Sequence, residues 1–309
     1  MNKKKIVYTS IGGQALIEGV MMRGPYTSAM AVRKPDGEVE VSTWETETKK
    51  RPWYKTTPFI RGFFNFVDMI TLGYRCLMRS AELAGVDDEE PTGLEKKLMD
   101  LLGEKFTTVF SWLAMILGAA LAVGLFMVLP TVIVGILRPL LPSQLALAAV
   151  EACLKIGIFV LYLWATSRVR EIQRVFEYHG AEHKTIACFE AGEELTPENA
   201  KKHTRFHPRC GTSFLLIVMV VSVLVFSMVT WENLLIRIGL KLAMLPVVVG
   251  IAYEIIKLAG KYQNPVTRAI SAPGLWLQRL TTREPDLGQL AVAIAAMTPC
   301  IPEDGSDRG

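Results

Sequence analysis

FTTVFSWLAMILGAALAVGLFMVL, residues 106–129, runs without a charged side chain and stops at Pro130. At 1.5 Å of rise per residue a helix of that length reaches about 36 Å, more than the roughly 30 Å hydrocarbon core of a bilayer. The stretch therefore reads as a transmembrane helix, with a further apolar piece continuing to Ile136. Three more runs follow: residues 145–165, with Glu151 and Lys155 near the beginning; residues 213–229, bounded by Trp231; and residues 234–256, with Arg237 and Lys241 near the start. The fold class expected is mainly α: a polytopic membrane helical bundle with four transmembrane helices and a small N-terminal β-containing cytoplasmic segment.

Composition agrees. Half of the 309 residues are apolar, too many in uninterrupted runs for an ordinary globular domain. The net charge of +4, from 34 Lys and Arg against 30 Asp and Glu, says less than where those charges lie. The segment between the second and third runs holds Arg168, Arg170, Arg174, Lys184, Lys201, Lys202, Arg205 and Arg209, whereas the other two connections offer little beyond Arg138 and Arg237. Basic connections stay in the cytoplasm, so the central segment and both termini are expected there, with membrane lipids as neighbours. No nucleic-acid partner is expected, because the aromatic residues cluster with the membrane runs instead of interleaving with the charges.

The polar parts divide the chain further. Residues 1–57 are strand-like, and Pro35-Asp36-Gly37 between two partly alternating stretches reads as a hairpin turn. Before it, GGQALIEGVMMRGP is apolar but broken by Gly12, Gly13, Gly19 and Gly24. It reads as a tight loop, or as short strands whose backbones approach something closely. Residues 58–84 form an amphipathic helix, at the membrane surface or in solution, and a charged linker runs from Asp87 to Lys105. Membrane helices occupy residues 106–166 and 213–257, flanking a histidine-rich cytoplasmic segment, 167–212. A C-terminal segment, 258–309, carries a short apolar helix at 287–297 that is too short to span and docks instead. The five cysteines are scattered and odd in number, which argues against a disulfide framework.

All four histidines fall between residues 179 and 207, as the pairs His179 and His183, and His203 and His207. At this spacing on a helix both rings of a pair share one face. His179-Gly-Ala-Glu182-His183 fits the H-x-x-E-H pattern, in which two imidazoles hold zinc or another divalent metal and the carboxylate acts as general base. The third ligand has three candidates: His207, Cys210 in RFHPRCGTSF, or Glu254 near the cytoplasmic end of the last run, where a lone carboxylate is expensive. Pro208 sets His207 in a turn, leaving His203 in a supporting or solvent-facing role. Cys188 and Cys210 keep open a structural zinc clip. Glu18 and Arg23 are either a buried ion pair that fixes a loop or a carboxylate and an anion-binding group for the site.

The motifs GGQALIEGVMMRGP, FEYHGAEHKTI, RFHPRCGTSF and LQRLTTREPDLGQLAVAI together resemble those of the YqhQ-like bacterial membrane proteins over almost the whole length. The resemblance implies several transmembrane segments in the bacterial plasma membrane and a metal-dependent enzyme of unassigned substrate. It implies His179, Glu182, His183, His207 and Cys210 as the residues to test. The function expected is a membrane-embedded, metal-dependent hydrolase at the cytoplasmic interface. The alternative is a non-enzymatic scaffold or assembly factor, with a membrane-protein partner or self-association as a dimer.

Overall fold

The computed structural model describes residues 9–46, 52–86, 106–141, 143–229, 233–261 and 265–302. The charged linker expected at 87–105 and the boundary residue Trp231 lie outside the described residues. Contacts divide the chain into two compact units. One comprises Met1–Val86, Leu163–Val218 and Pro246–Gly309, the other Asp87–Tyr162 and Met219–Leu245.

The first unit is built on an antiparallel meander, β1 (Gly12–Leu16), β2 (Gly19–Arg23), β3 (Thr27–Arg33) and β4 (Val39–Glu45), in sequential order. The β3–β4 connection is the Pro35-Asp36-Gly37 turn, closed by Lys34 N–H to Glu38 O at 2.8 Å and allowed by Gly37 at φ 91°. Two-residue periodicity sorts the strands. Val20, Met22, Ala29 and Ala31 face one side, where they pack with Tyr178, Ala181 and Ile186 of α5 (Arg170–Glu190) and with Leu290 and Ala293 of α10 (Leu287–Met297). Leu16, Met21, Met30 and Val32 face the other, against Cys76 of α1 (Ile60–Leu83). Covered on both faces, β2 has no polar side to show, which is why its sequence reads as an unbroken apolar run. Helix α10 opens with a capping box, Asp286 accepting from Gln289 N–H while Gln289 returns a bond to the Asp286 backbone.

The second unit holds most of the apolar helix. Helix α2 (Phe106–Val123) passes through a π turn at Gly124–Val128 into α3 (Leu129–Leu137). Pro130 lacks an N–H, and the wider turn before it absorbs that loss without ending the helix. The first run therefore does not stop at Pro130. Helix α4 is Gln144–Thr166; α7 (Gly211–Ser227) and α8 (Leu234–Lys261) each contribute to both units, and α6 (Pro197–Lys201) and α9 (Pro265–Thr281) belong to the first.

Among the described residues, three helices are long and apolar enough to cross a membrane: Trp112–Leu140, Gln144–Thr166 and Leu234–Ala259. This corrects the expectation of four. Helix α7 is apolar throughout, but its 17 residues reach about 26 Å, short of a full hydrocarbon core. The chain is mainly helical with a small N-terminal antiparallel sheet, and three helices of this kind make a membrane location plausible.

Candidate metal centre

Helix α5 carries His179, Glu182 and His183 on successive turns, and from Tyr178 to Ile186 nearly every residue is buried. That burial needs a close neighbour, and Gly180 admits one. A Cβ at Gly180 would collide with the Arg283 carbonyl, and Arg283 N–H bonds Phe176 O at 2.8 Å. The chain leaving α9 is thereby held against α5, which sets the Thr281 carbonyl 2.8 Å from His179 Nδ1. His183 Nδ1 meets the Arg205 carbonyl at 2.6 Å. A carbonyl only accepts, so both Nδ1 atoms carry the proton and both Nε2 atoms present lone pairs.

Those lone pairs converge with a sulfur. His179 Nε2 lies 3.2 Å from Cys210 Sγ, the two rings are 4.4 Å apart between centroids, and the ligand atoms of His179, His183 and Cys210 all lie within 4.8 Å of one another. Cys210 immediately precedes α7, and its sulfur faces the Thr212 N–H at 3.5 Å and the Thr212 hydroxyl at 3.3 Å. The thiolate is the form in which a cysteine sulfur binds metal. The segment bringing Cys210 in is anchored by Gln278, fully buried, which clasps His207 through both backbone groups at 2.8 Å. Lys184 adds a second anchor, donating to the carbonyls of Lys201 and His203 at 3.0 and 2.7 Å.

The electrostatics leave atoms unspent. Glu182 Oε2, His183 Nε2 and His207 Nε2 are buried without a hydrogen-bond partner among the described residues. Burial pushes the Glu182 carboxyl up to about 7, against the opposing pull of His179 and a bond from the Gly13 N–H. Burial also lowers the His183 pKa, with His179 adding to the effect. Both shifts favour uncharged groups, and a bound cation would favour the ionised carboxylate. Gly13 is glycine for a spatial reason: a Cβ there would sit 3.0 Å from the Glu182 carboxyl carbon and 2.7 Å from Met21 O. Two imidazoles and a cysteine sulfur, within reach of one another, are a donor set that fits a zinc-type ion.

The remaining candidates fall in different places. The His207 ring lies 5.5 Å from that of His183, and its Nε2 stands 3.9 Å from Glu190 Oε2. Glu254 is bound bidentately by Arg61, at 2.7 and 2.5 Å, and takes the Phe59 N–H at 3.3 Å. Its carboxylate is committed to α1 instead of to the histidines. Glu18, in the β1–β2 turn at φ 51°, pairs with Arg174 and accepts from Tyr178 Oη at 3.1 Å. Arg23 ends β2, opposite Gly12 and Ser28. His203 pairs with Glu193 at 3.3 Å.

Two contributors escaped the sequence reading. Glu190 accepts from Thr9 N–H at 3.0 Å and pairs with Arg209. Burial alone would raise its carboxyl, but His207 and Arg209 hold it below the ordinary value. The Thr281 and Arg205 carbonyls orient the imidazoles, yet a backbone carbonyl leaves no mark in residue identity. Glu190 and Arg209 carried a faint signal as opposite charges flanking the two metal motifs.

Residues 57–303 match a family described as a protein of unknown function, DUF1385. The chain is 34% identical over 307 residues, 97% of this chain and 95% of the other, to "Uncharacterized protein YqhQ" of Bacillus subtilis (strain 168). No solved structure matches. Neither description names an activity or a metal.

Proposed function

We propose that this chain, which belongs to the DUF1385 family of proteins of unknown function, is a membrane-embedded, zinc-dependent hydrolase working at the cytoplasmic face of the bilayer. The observation that carries the reading is the convergence of the His179, His183 and Cys210 ligand atoms within 4.8 Å, with both Nδ1 atoms tied to backbone carbonyls. Those three residues hold the ion. When bound, zinc supplies Lewis acidity toward a carbonyl or phosphoryl oxygen. Glu182 is the general base: its Oε2 has no partner among the described residues, and the Gly13 N–H fixes the carboxyl. A base with a pKa near 7 is matched to work near neutral pH. Glu182, His183 and Cys210 are buried while His179 is partly open, so substrate and the water that Glu182 deprotonates would approach from the His179 side.

The chain threads the bilayer more than once. His179 bonds Thr281 and touches Cys210, so α5, the start of α7 and the end of α9 share one side of the membrane. Helix α8 is long enough to lead to that side across a span. The basic central segment makes that side cytoplasmic, together with the sheet and α10, which pack on α5. The substrate is a membrane-associated peptide or a lipid-linked group.

One observation favours a second reading. The His207 Nε2 is buried beside His183, and a fourth ligand there would close the centre and make it structural, as suits an assembly factor for membrane proteins. Detergent-purified, zinc-loaded protein assayed against peptide, ester and phosphodiester probes separates the two. The hydrolase reading expects turnover of one class that Glu182→Gln abolishes while zinc is retained. Turnover surviving in Glu182→Gln overturns the role of the base, and no turnover of any class with zinc fully loaded decides for the structural centre.

A further inference from the structure

A second group of ligating side chains lies at the far end of α5. The helix ends in a Schellman motif: Gly192, at φ 67°, donates to Phe189 O at 2.9 Å, and Glu193 N–H returns to Cys188 O at 3.3 Å. This fold-back brings Glu193 over Cys188. From the other side, Thr196 caps α6 through the Asn199 N–H at 3.2 Å, and the chain leaving that short helix carries His203 to within 3.3 Å of the Glu193 carboxylate. Cys188 is fully buried, and its sulfur makes one long contact, 3.6 Å to the Glu194 carbonyl.

From the mutual approach of Cys188 Sγ, a Glu193 carboxylate oxygen and a His203 ring nitrogen, all within 4.8 Å of one another, we propose a second zinc site, structural in role. It shares no ligand with the centre at His179, and the inference does not rest on the hydrolase reading. One thiolate, one imidazole and one carboxylate form a donor set that zinc accepts, and its bonds of about 2.0–2.3 Å need only a small inward movement of the three. Their two negative charges neutralise the ion, and three protein ligands leave one position for water. The ion pins the segment leaving α6 to the end of α5. That segment continues into the Arg205 carbonyl, His207 and Cys210, so the second site steadies the parts that build the first.

Full-length protein in detergent, stripped of metal, reloaded with zinc and analysed by elemental mass spectrometry, should hold two equivalents. His179→Ala with His183→Ala should leave one, and so should Cys188→Ser with His203→Ala. If the second pair of substitutions leaves the wild-type amount in folded protein, the proposal is overturned. A single equivalent lost only with His179 and His183 overturns it too. A single equivalent lost only with Cys188 and His203 upholds it and removes the reading of the first centre. Cobalt gives an independent readout. In the His179→Ala, His183→Ala, Cys210→Ser background, the thiolate-to-cobalt absorption should persist and vanish with Cys188→Ser. Its absence from that folded background would also overturn the proposal. Should Cys188→Ser fail to fold, Glu193→Gln must weaken cobalt binding by about tenfold or more, and an unchanged affinity would decide against the site.

Discussion

Two clusters of buried titratable groups, one in each unit, handle burial in opposite ways. Among the apolar helices, Glu151 spends both oxygens: Oε1 accepts from Thr131 at 3.0 Å and pairs with Lys241, and Oε2 pairs with Arg237 at 3.0 Å. Lys155 donates to Ser222 at 3.0 Å and stands 5.0 Å over the Phe226 ring. On α5, by contrast, Glu182 Oε2 and His183 Nε2 are buried with no partner among the described residues. A charge inside apolar surroundings is tolerated when it is paired. Lone pairs left over around a thiol are what a metal ion uses. The first cluster spends its polar atoms on one another, and the second keeps some of its own unspent among the described residues.

The largest effect is expected at Glu151. Glu151→Ala removes the carboxylate shared by the buried Arg237 and Lys241 and should destabilise the protein by about 3–5 kcal/mol, read as a drop in the midpoint of unfolding in detergent. Zinc per folded chain should not change. A stable Glu151→Ala variant would show that the paired cluster holds little together.

Gly180→Ala sharpens the other side. Its Cβ would meet the Arg283 carbonyl, and parting the two segments should cost about 1–3 kcal/mol. It should also weaken zinc binding, because Thr281, two residues earlier, orients His179. A zinc titration with unchanged affinity would show that this packing does not position the ligand.

Much of this was legible in the sequence. Long apolar runs marked the membrane-type helices, Pro35-Asp36-Gly37 marked a turn, and the pair His179 and His183 marked a shared helix face, while His203 and His207 lie outside any helix. Length was the weak point: the run at 213–229 was no longer than the 17-residue helix formed, Gly211–Ser227, and was already short of a full span. The third-ligand candidates could not be ranked, because their choice depends on long-range packing. Glu254 satisfied the rule that a lone carboxylate in an apolar helix needs a partner, and its partner is Arg61, 193 residues away. The glycines at 13 and 180 were visible as glycines, but the groups they admit, the Glu182 carboxyl and the Arg283 carbonyl, come from distant parts of the chain.

Smaller effects follow from the anchors. Gln278→Ala leaves both backbone groups of His207 without their clasp and should destabilise by about 1–2 kcal/mol, seen in thermal unfolding. Glu254→Gln, which weakens the bidentate pair with Arg61, should change stability by about 1 kcal/mol or less and leave zinc affinity as it is. A loss of zinc in Glu254→Gln would return that residue to the centre.

We propose that the unspent atoms of α5 and Cys210 are metal ligands. Elemental mass spectrometry of detergent-purified protein, beside the His179→Ala, His183→Ala double variant with helicity followed by circular dichroism, addresses it most directly. The expected result is near-stoichiometric zinc at the centre, with one equivalent lost in a variant that remains folded. Wild-type protein that holds no zinc when purified without chelator and takes up none when zinc is added, or a folded double variant that retains the wild-type amount, would contradict it.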